Sequence, residues 1–308
     1  MKNRNYLFAV LFFLVGSAFA QQEIQYSQNI LNSHLLINPA YSGIFNEYTA
    51  GIKYRNQWDN LPKSPKSFLA LGEIPIKDNF KLGIGMNYDQ IGINTTNAFE
   101  VNPSVQIRVN EKSQLSFGLK AGIHLLQSDF TELVNVNLSD PAYADDSRTS
   151  TFLGFGALYF NSKYYIGISS PRVINIESTS GVDRYLTSHY YMYGGTKIKL
   201  EQDLDLRPQL LFKTDTKSQL VMEISSQIWL KDKIGFGLGY RSGDAVSTAL
   251  QLKLNRMVLG YSFDFTTSRL QSSQNGTHEL FIGFRIKKKV KKTEEEDLEN
   301  RSENQRYF

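Results

Sequence analysis

The 308-residue chain has no cysteine, so neither disulfides nor thiolate chemistry can contribute to it. Histidine is nearly as scarce: only His34, His124, His189 and His278 occur, none in an H-x-S or G-x-S-x-G context. Nucleophilic hydrolysis needs a serine or cysteine with a base in hydrogen-bond reach. Ser188 and His189 are adjacent, but neighbours on a strand point to opposite faces. Zinc motifs, a phosphate loop and an Asp/Gly calcium pattern are missing. Asp145-Asp146 could bind a cation or serve an omptin-like protease, but without a matched histidine the pair reads as solvated loop. The expectation is a protein that is not an enzyme and holds no cofactor or metal.

Long apolar runs are also missing, except at the start. MKNRNYLFAVLFFLVGSAFA has Lys2 and Arg4 ahead of an apolar run from Tyr6 to Val15, then Ala18-Phe19-Ala20. This is the pattern of a secretory signal peptide over residues 1–20, cut before Gln21. The cut leaves no cysteine for a lipid anchor. Beyond it no segment approaches the roughly 20 apolar residues of a membrane helix. An exported chain of this kind stays in the periplasm, leaves the cell, or enters the outer membrane as a barrel. Scarce proline (8) with plentiful glycine (22), phenylalanine (20) and tyrosine (17) favours the barrel, although a soluble all-β domain shares those values. Strand pattern decides between them.

Barrel strands of about 9–11 residues alternate between lipid and lumen. Ala50, Ile52 and Tyr54 alternate with Thr49, Gly51 and Lys53; Leu82, Ile84, Met86 and Tyr88 with Lys81, Gly83, Gly85 and Asn87. Phe99, Val101, Pro103, Val105, Ile107 and Val109 oppose Glu100, Asn102, Ser104, Gln106 and Arg108, with Pro103 awkward because proline cannot donate to a ladder. After a turn at Asn110–Ser113, Leu115, Phe117, Leu119, Ala121 and Ile123 resume the apolar face. The second half repeats this around Leu206–Lys213, Leu220–Ile228, Ile234–Arg241, Val246–Leu254, Met257–Phe265 and Glu279–Ile286. Weaker strands fit at Phe68–Glu73, Thr151–Phe160, Tyr164–Ser170 and Tyr190–Leu200.

The total is a transmembrane antiparallel β-barrel of about 14 strands, of outer-membrane type, with both termini periplasmic. Short turns at Asn110–Ser113, Asn161–Lys163, Lys231–Lys233 and Asn255–Arg256 face longer loops at Asn56–Lys66, Gln127–Thr149, Pro171–Ser188 and Thr267–Gly276. Tyr54, Tyr88, Phe99, Tyr190 and Tyr240 are expected at the outer strand ends as an aromatic girdle. The chain thus divides into a signal peptide (1–20), an N-terminal periplasmic or plug-like segment (21–46), the barrel (47–286) and a charged tail (287–308). Within the second, Asn29–Ile37 suits a short helix ended by Asn38-Pro39, since a residue before proline disfavours the helical region. It either plugs the lumen or meets partner proteins.

The net charge of +4 is explained by position rather than by nucleic acid. The alternation puts Lys53, Lys81, Arg108, Lys120, Lys197, Lys199, Arg207, Lys213, Arg241, Lys253 and Arg285 toward the lumen, with Glu100, Glu223, Asp264 and Glu279. On the lipid face each cation would cost about 2–4 kcal/mol at the midplane. Such a basic lumen is either neutralised by ion pairs and water or forms an anion-favouring passage.

One block is more specific. NPAYSG (residues 38–43), followed by KYRNQW (53–58) and LPKSPKSF (61–68), resembles the PorP/SprF family, as does QYSQNILNSHLLINPAYSG upstream. The resemblance implies an outer-membrane accessory of the type IX secretion system of Bacteroidetes, supporting export or surface attachment of particular cargo such as gliding adhesins. Its implied partners are cargo bearing a type IX C-terminal signal, other components of that system in the periplasm and outer membrane, and outer-membrane lipid. The alternative is a passive porin with an anion-favouring lumen. Asn38, Pro39, Ala40, Tyr41, Gly43, Tyr54, Arg55, Asn56, Gln57 and Trp58 are the motif residues, read as partner contacts or as structural. Arg55 is suited to anchor a carboxylate by two parallel hydrogen bonds, with Glu100 or Glu47 as candidate mates.

Overall fold

The computed structural model describes residues 34–130, 146–177, 188–215 and 220–288. The expected signal peptide at 1–20, the stretch 21–33, the tail beyond Lys288 and the side chains of Asp145-Asp146 lie outside the described residues. The strands are β1 (Glu47–Asn56), β2 (Lys66–Pro75), β3 (Phe80–Ile91), β4 (Asn94–Arg108), β5 (Ser113–Ser128), β6 (Asp146–Asn161), β7 (Tyr164–Glu177) and β8 (His189–Thr196). They continue as β9 (Ile198–Glu201), β10 (Leu204–Asp215), β11 (Val221–Leu230), β12 (Ile234–Arg241), β13 (Ala245–Leu254), β14 (Met257–Thr266) and β15 (Thr277–Lys287). Each pairs antiparallel with its neighbours, and β1 pairs with β15 from Glu47↔Lys287 to Asn56↔His278, which closes the sheet.

The β8 and β9 strands are one stave with a break, so the barrel has fourteen. Both pair with β10 in one register, β8 reaching Gln209↔Gly195 and β9 resuming at Leu206↔Ile198. Pro208 stands opposite the gap and has no N–H for that ladder. Pro103 acts similarly: pairing of β4 with β5 skips from Val101↔Ala121 to Ser104↔Gly118 without a slip. Pro171, expected in a loop, lies within β7. The β6–β7 register shifts between Leu153 and Phe155, and the bulge that results accommodates a residue that cannot donate.

Alternation holds around the wall. On β12, Ile234, Phe236, Leu238 and Tyr240 face outward, and Gly235, Gly237, Gly239 and Arg241 face the lumen. The exterior is thus a continuous band of half-exposed Ile, Leu, Val and Phe, which suits hydrocarbon and not water. No helix among the described residues is long and apolar enough to cross a membrane; the strands make the crossing.

One end of the barrel carries six short turns and both ends of the strand array, and is termed the turn end; the other is the loop end. Two loop-end connections are short, at 92–93 and 242–244; the first is short because β3 and β4 run further than periodicity shows. Tyr54 pairs with Phe68 and Phe68 with Tyr88 in a row near the loop end. Phe99 lies lower than expected: its partners are Met86 and Ile123, well inside β4.

Candidate functional site

Residues 34–46 fold into the lumen. A four-residue helix α1 (His34–Ile37) stops at Asn38, whose extended backbone (φ −138°, ψ 112°) is what a following proline requires. Pro39 opens a 3-10 turn, where its missing N–H costs nothing. Asn38 Oδ1 accepts from Ala40 N at 2.8 Å, and its Nδ2 donates to Ala157 O (3.1 Å) and Ile168 O (3.4 Å). One side chain therefore caps the turn and ties it to β6 and β7. Gly43 reverses the chain in the left-handed region (φ +63°).

The wall is shaped for this segment. A Cβ on Gly118 would lie 2.3 Å from Ala40 N, and one on Gly156 would lie 2.0 Å from Asn38 Oδ1. On Gly83 it would meet Ser42 Oγ at 2.6 Å. Hydroxyls and an ammonium beside these glycines donate to plug carbonyls: Ser116 to Ala40 (2.7 Å), Ser169 to Ile37 (2.6 Å), Ser104 to Ser42 (3.0 Å) and Lys120 to Leu36 (3.0 Å). Ile37, Tyr41, Ile44 and Phe45 pack on Leu158, Phe160, Tyr165, Tyr191 and Tyr193, and Leu35 packs on Leu69 and Leu71. Arg285 lies over the Phe45 ring at 4.7 Å.

His34 is enclosed by aromatic rings. It stacks on Tyr41 (4.9 Å between centroids), and its Nε2 meets the Tyr165 hydroxyl at 3.2 Å. Burial, and then the charge of Lys53, lowers its pKa from 6.5 to about 3, so the imidazole is neutral in the plug. Burial, and then the charge of Glu73, raises the Tyr41 pKa.

The lumen cations are matched by carboxylates. Arg55 reaches Asp264 (3.0 Å) and Glu279 (3.2 Å), and Lys53 lies 3.7 Å from Glu279. Arg241 holds Glu223 (3.0 Å) and Asp244 (2.7 Å). Neither expected mate of Arg55 is used: Glu100 takes Lys120 at 2.8 Å instead, and Glu47 is at the opposite end of β1. Toward the turn end Lys197 meets Asp205 (3.0 Å), while Arg207 and Lys253 share Asp232 (2.6 and 2.8 Å). Burial alone would raise the Asp232 pKa, but Lys253 and Arg207 together hold it below the ordinary value. Trp229, fully buried, has Arg207 at 4.7 Å and Lys253 at 4.3 Å from its ring.

Of the expected lumen cations, Lys53, Lys81, Lys120, Arg207, Lys213 and Arg241 are buried, whereas Lys197, Lys253 and Arg285 are partly covered. Arg108 and Lys199 have the right parity but stand past the wall and are exposed; Arg108 clamps Asn110 O and Glu111 O in its own turn. The anions Glu73, Asp89 and Asp205 are also inward and buried; Asp89 and Asp205 lie beyond the strand boundaries drawn from periodicity, and Glu73 ends a weaker strand whose faces were not assigned.

The sequence motif divides three ways. Residues 38–43 enter the lumen, Tyr54 faces outward, and Arg55 is buried in ion pairs. Asn56, Gln57 and Trp58 open the loop 57–65. Trp58 (φ 55°) donates its N–H to Thr277 Oγ1 (3.2 Å). Asp59 exchanges backbone bonds with Gly276 O (2.8 Å) and Asn275 N (2.9 Å). Two features escaped sequence reasoning: the glycines under the plug and the serines that hold it. Their signal was small residues at inward positions of β3 to β7, where an unfilled lumen has no need of them.

No group of three His, Asp or Glu among the described residues could hold a metal ion. His124 stacks on Phe152 (4.4 Å), His189 lies 3.8 Å from Asp215, and the Ser188 hydroxyl donates to Val173 O at 3.4 Å.

A closed fourteen-stave barrel with an apolar exterior and a filled polar lumen is an integral outer-membrane protein by class. The family described as type IX secretion system membrane protein PorP/SprF matches residues 18–284, and the chain belongs to it. No curated protein matches it. Solved barrels resemble it distantly. The CymD monoaromatic hydrocarbon channel is 10% identical, with a TM-score of 0.49 over 85% of this chain and 94% of that one. A Pseudomonas aeruginosa FadL homologue is 9% identical, with 0.45 over 80% and 91%. CdiB from Acinetobacter baumannii is 10% identical, with 0.44 over 78% of this chain; the match spans 60% of CdiB.

Proposed function

We propose that this protein is a non-enzymatic accessory of type IX secretion that supports export or surface attachment of specific cargo, gliding adhesins being one such class, by binding and not by conduction. The observation that carries this is the plug. Residues 34–46 fill the lumen on a glycine-lined wall, and the cations that would draw anions through are held by carboxylates. A barrel closed in this way has its loops and rims for contacting cargo and neighbouring components. The ordered loop 57–65, braced against 275–277, is the contact surface favoured at the loop end, with both termini periplasmic. A passive anion porin has less support, since its passage is occupied.

The test is a deletion strain complemented with the wild-type chain. Deletion is expected to abolish surface display of one or a few large cargo proteins bearing the type IX C-terminal signal, with small-solute permeability unchanged. Normal display in the deletion strain would overturn the reading.

A further inference from the structure

The exposed charge of the barrel is distributed unevenly between its two ends. Lys77, Lys112, Lys163, Lys233 and Arg256 occupy five of the six turns at the turn end. Lys199 is on the strand entering the sixth, and Lys287 ends β15. All seven are exposed. None of them makes an ion pair among the described residues, whereas Lys231 and Lys288 on the same rim meet Asp203 and Asp78. Three acids there, Glu47, Glu111 and Glu201, are likewise unpaired among the described residues. At the loop end the exposed cations among the described residues are Lys63, Lys66 and Arg269.

The spacing follows the hairpins. Consecutive turns lie two staves apart, so one cation per turn makes a ring around the whole circumference and not a patch. An acidic protein docking from one side would meet two or three of these positions. Lipid surrounds the barrel and meets the ring from every side. The outward face just inside the rim has the aromatic residues of a headgroup zone: Tyr48, 44% exposed, and the stacked pair Tyr159–Tyr164, 6.0 Å between centroids.

We propose that the turn-end rim is a binding ring for the phosphate groups of anionic phospholipids in one leaflet. Lysine and arginine beside an anionic leaflet each favour it by about five-fold in binding at ordinary ionic strength. Seven together select the lipid shell of that leaflet and fix the depth of the barrel in it. The ring lies outside the plugged lumen, and the inference does not depend on the secretion role.

The test uses the full chain reconstituted in vesicles of phosphatidylcholine and phosphatidylglycerol in equal parts, with spin-labelled lipids reporting the motionally restricted shell. Labelled phosphatidylglycerol is expected to be selected over phosphatidylcholine by a factor above two, falling as salt is raised. Changing all seven ring cations to glutamine should bring that factor to about one, while K66Q with R269Q leaves it unchanged. The heat-dependent gel shift of each variant checks that the barrel has folded. Equal selectivity in the ring variant, or its loss in the loop-end variant, overturns the proposal. So does a ring that shows no lipid preference but binds a polyglutamate peptide, which would make it a protein-docking surface.

Discussion

Arg55 and Glu279 stand 224 positions apart in sequence and directly opposite each other across the β1–β15 seam, joined at 3.2 Å. Both side chains are almost fully buried, and Asp264 completes the group from β14. The pair is a lock on the point where the first strand meets the last. Removing one partner of a buried pair costs about 3–5 kcal/mol, because the other charge is left without compensation. Arg55→Ala is therefore expected to lower the temperature at which the folded barrel loses its compact gel mobility, and Arg55→Lys to lower it less. An unchanged transition in Arg55→Ala would show that the seam is held by its backbone ladder alone.

Asn38 makes one hydrogen bond within the plug and two to the wall. Asn38→Ala loses all three, a loss on the order of 2–4 kcal/mol. The loss falls on the plug and not on the strands. With Ala40→Cys as a reporter, fully buried in the parent, thiol labelling should accelerate at least about ten-fold when Asn38→Ala is added, a change worth about 1.4 kcal/mol. Equal rates would mean that the apolar contacts of Tyr41 and Ile44 suffice.

Gly118 admits no side chain while the plug is seated, since a Cβ there would overlap Ala40 N and Pro39 C, both at 2.3 Å. Gly118→Val is expected to displace residues 38–42 and give measurable single-channel conductance in a planar bilayer, where the parent stays closed. Ala121→Val, on the outward face of the same strand, is the control and should behave as the parent. A closed Gly118→Val channel with normal barrel folding would place the obstruction elsewhere.

His34 supplies a pH dependence. Its folded pKa, about 3, is depressed below the ordinary 6.5, so the unfolded or released segment binds a proton that the seated plug refuses. The contribution is fully present above pH 6.5 and is lost progressively as pH falls toward 3, at about 1.4 kcal/mol per pH unit. Tyr41, Tyr165, Tyr193, Lys53 and Glu223 face the ring from the plug, β7, β8, β1 and β11. Labelling of Ala40→Cys between pH 7 and 4, divided at each pH by the rate of the same thiol in the unfolded chain because only the thiolate reacts, should rise steeply in the parent and less steeply with His34→Gln added. Parallel profiles would remove His34 from the effect.

The strands were legible because lipid on one side and a polar lumen on the other impose a period of two. Met257 to Phe265 and Phe99 to Val109 show it without ambiguity. Their ends were not. Alternation fades where side chains pass beyond the hydrocarbon, so β3, β4 and β7 were drawn short and Pro171 was placed in a loop. Arg55 meets two carboxylates with one bond to each, not one carboxylate with two, and neither partner was foreseen, because closure pairs the first strand with the last and local pattern has no access to that pairing.

The sequence by itself determined that strands cross the membrane, which side chains face inward, and, through NPAYSG and KYRNQW, the family. Those follow from periodicity and from specific residues, both local properties of the chain. Only the tertiary structure decided where the motif lies. Asn38, Ala40 and Ser42 lie in the lumen because glycines on β3, β5 and β6, 41 to 118 positions further along the chain, leave room there. That fit exists once the sheet has closed.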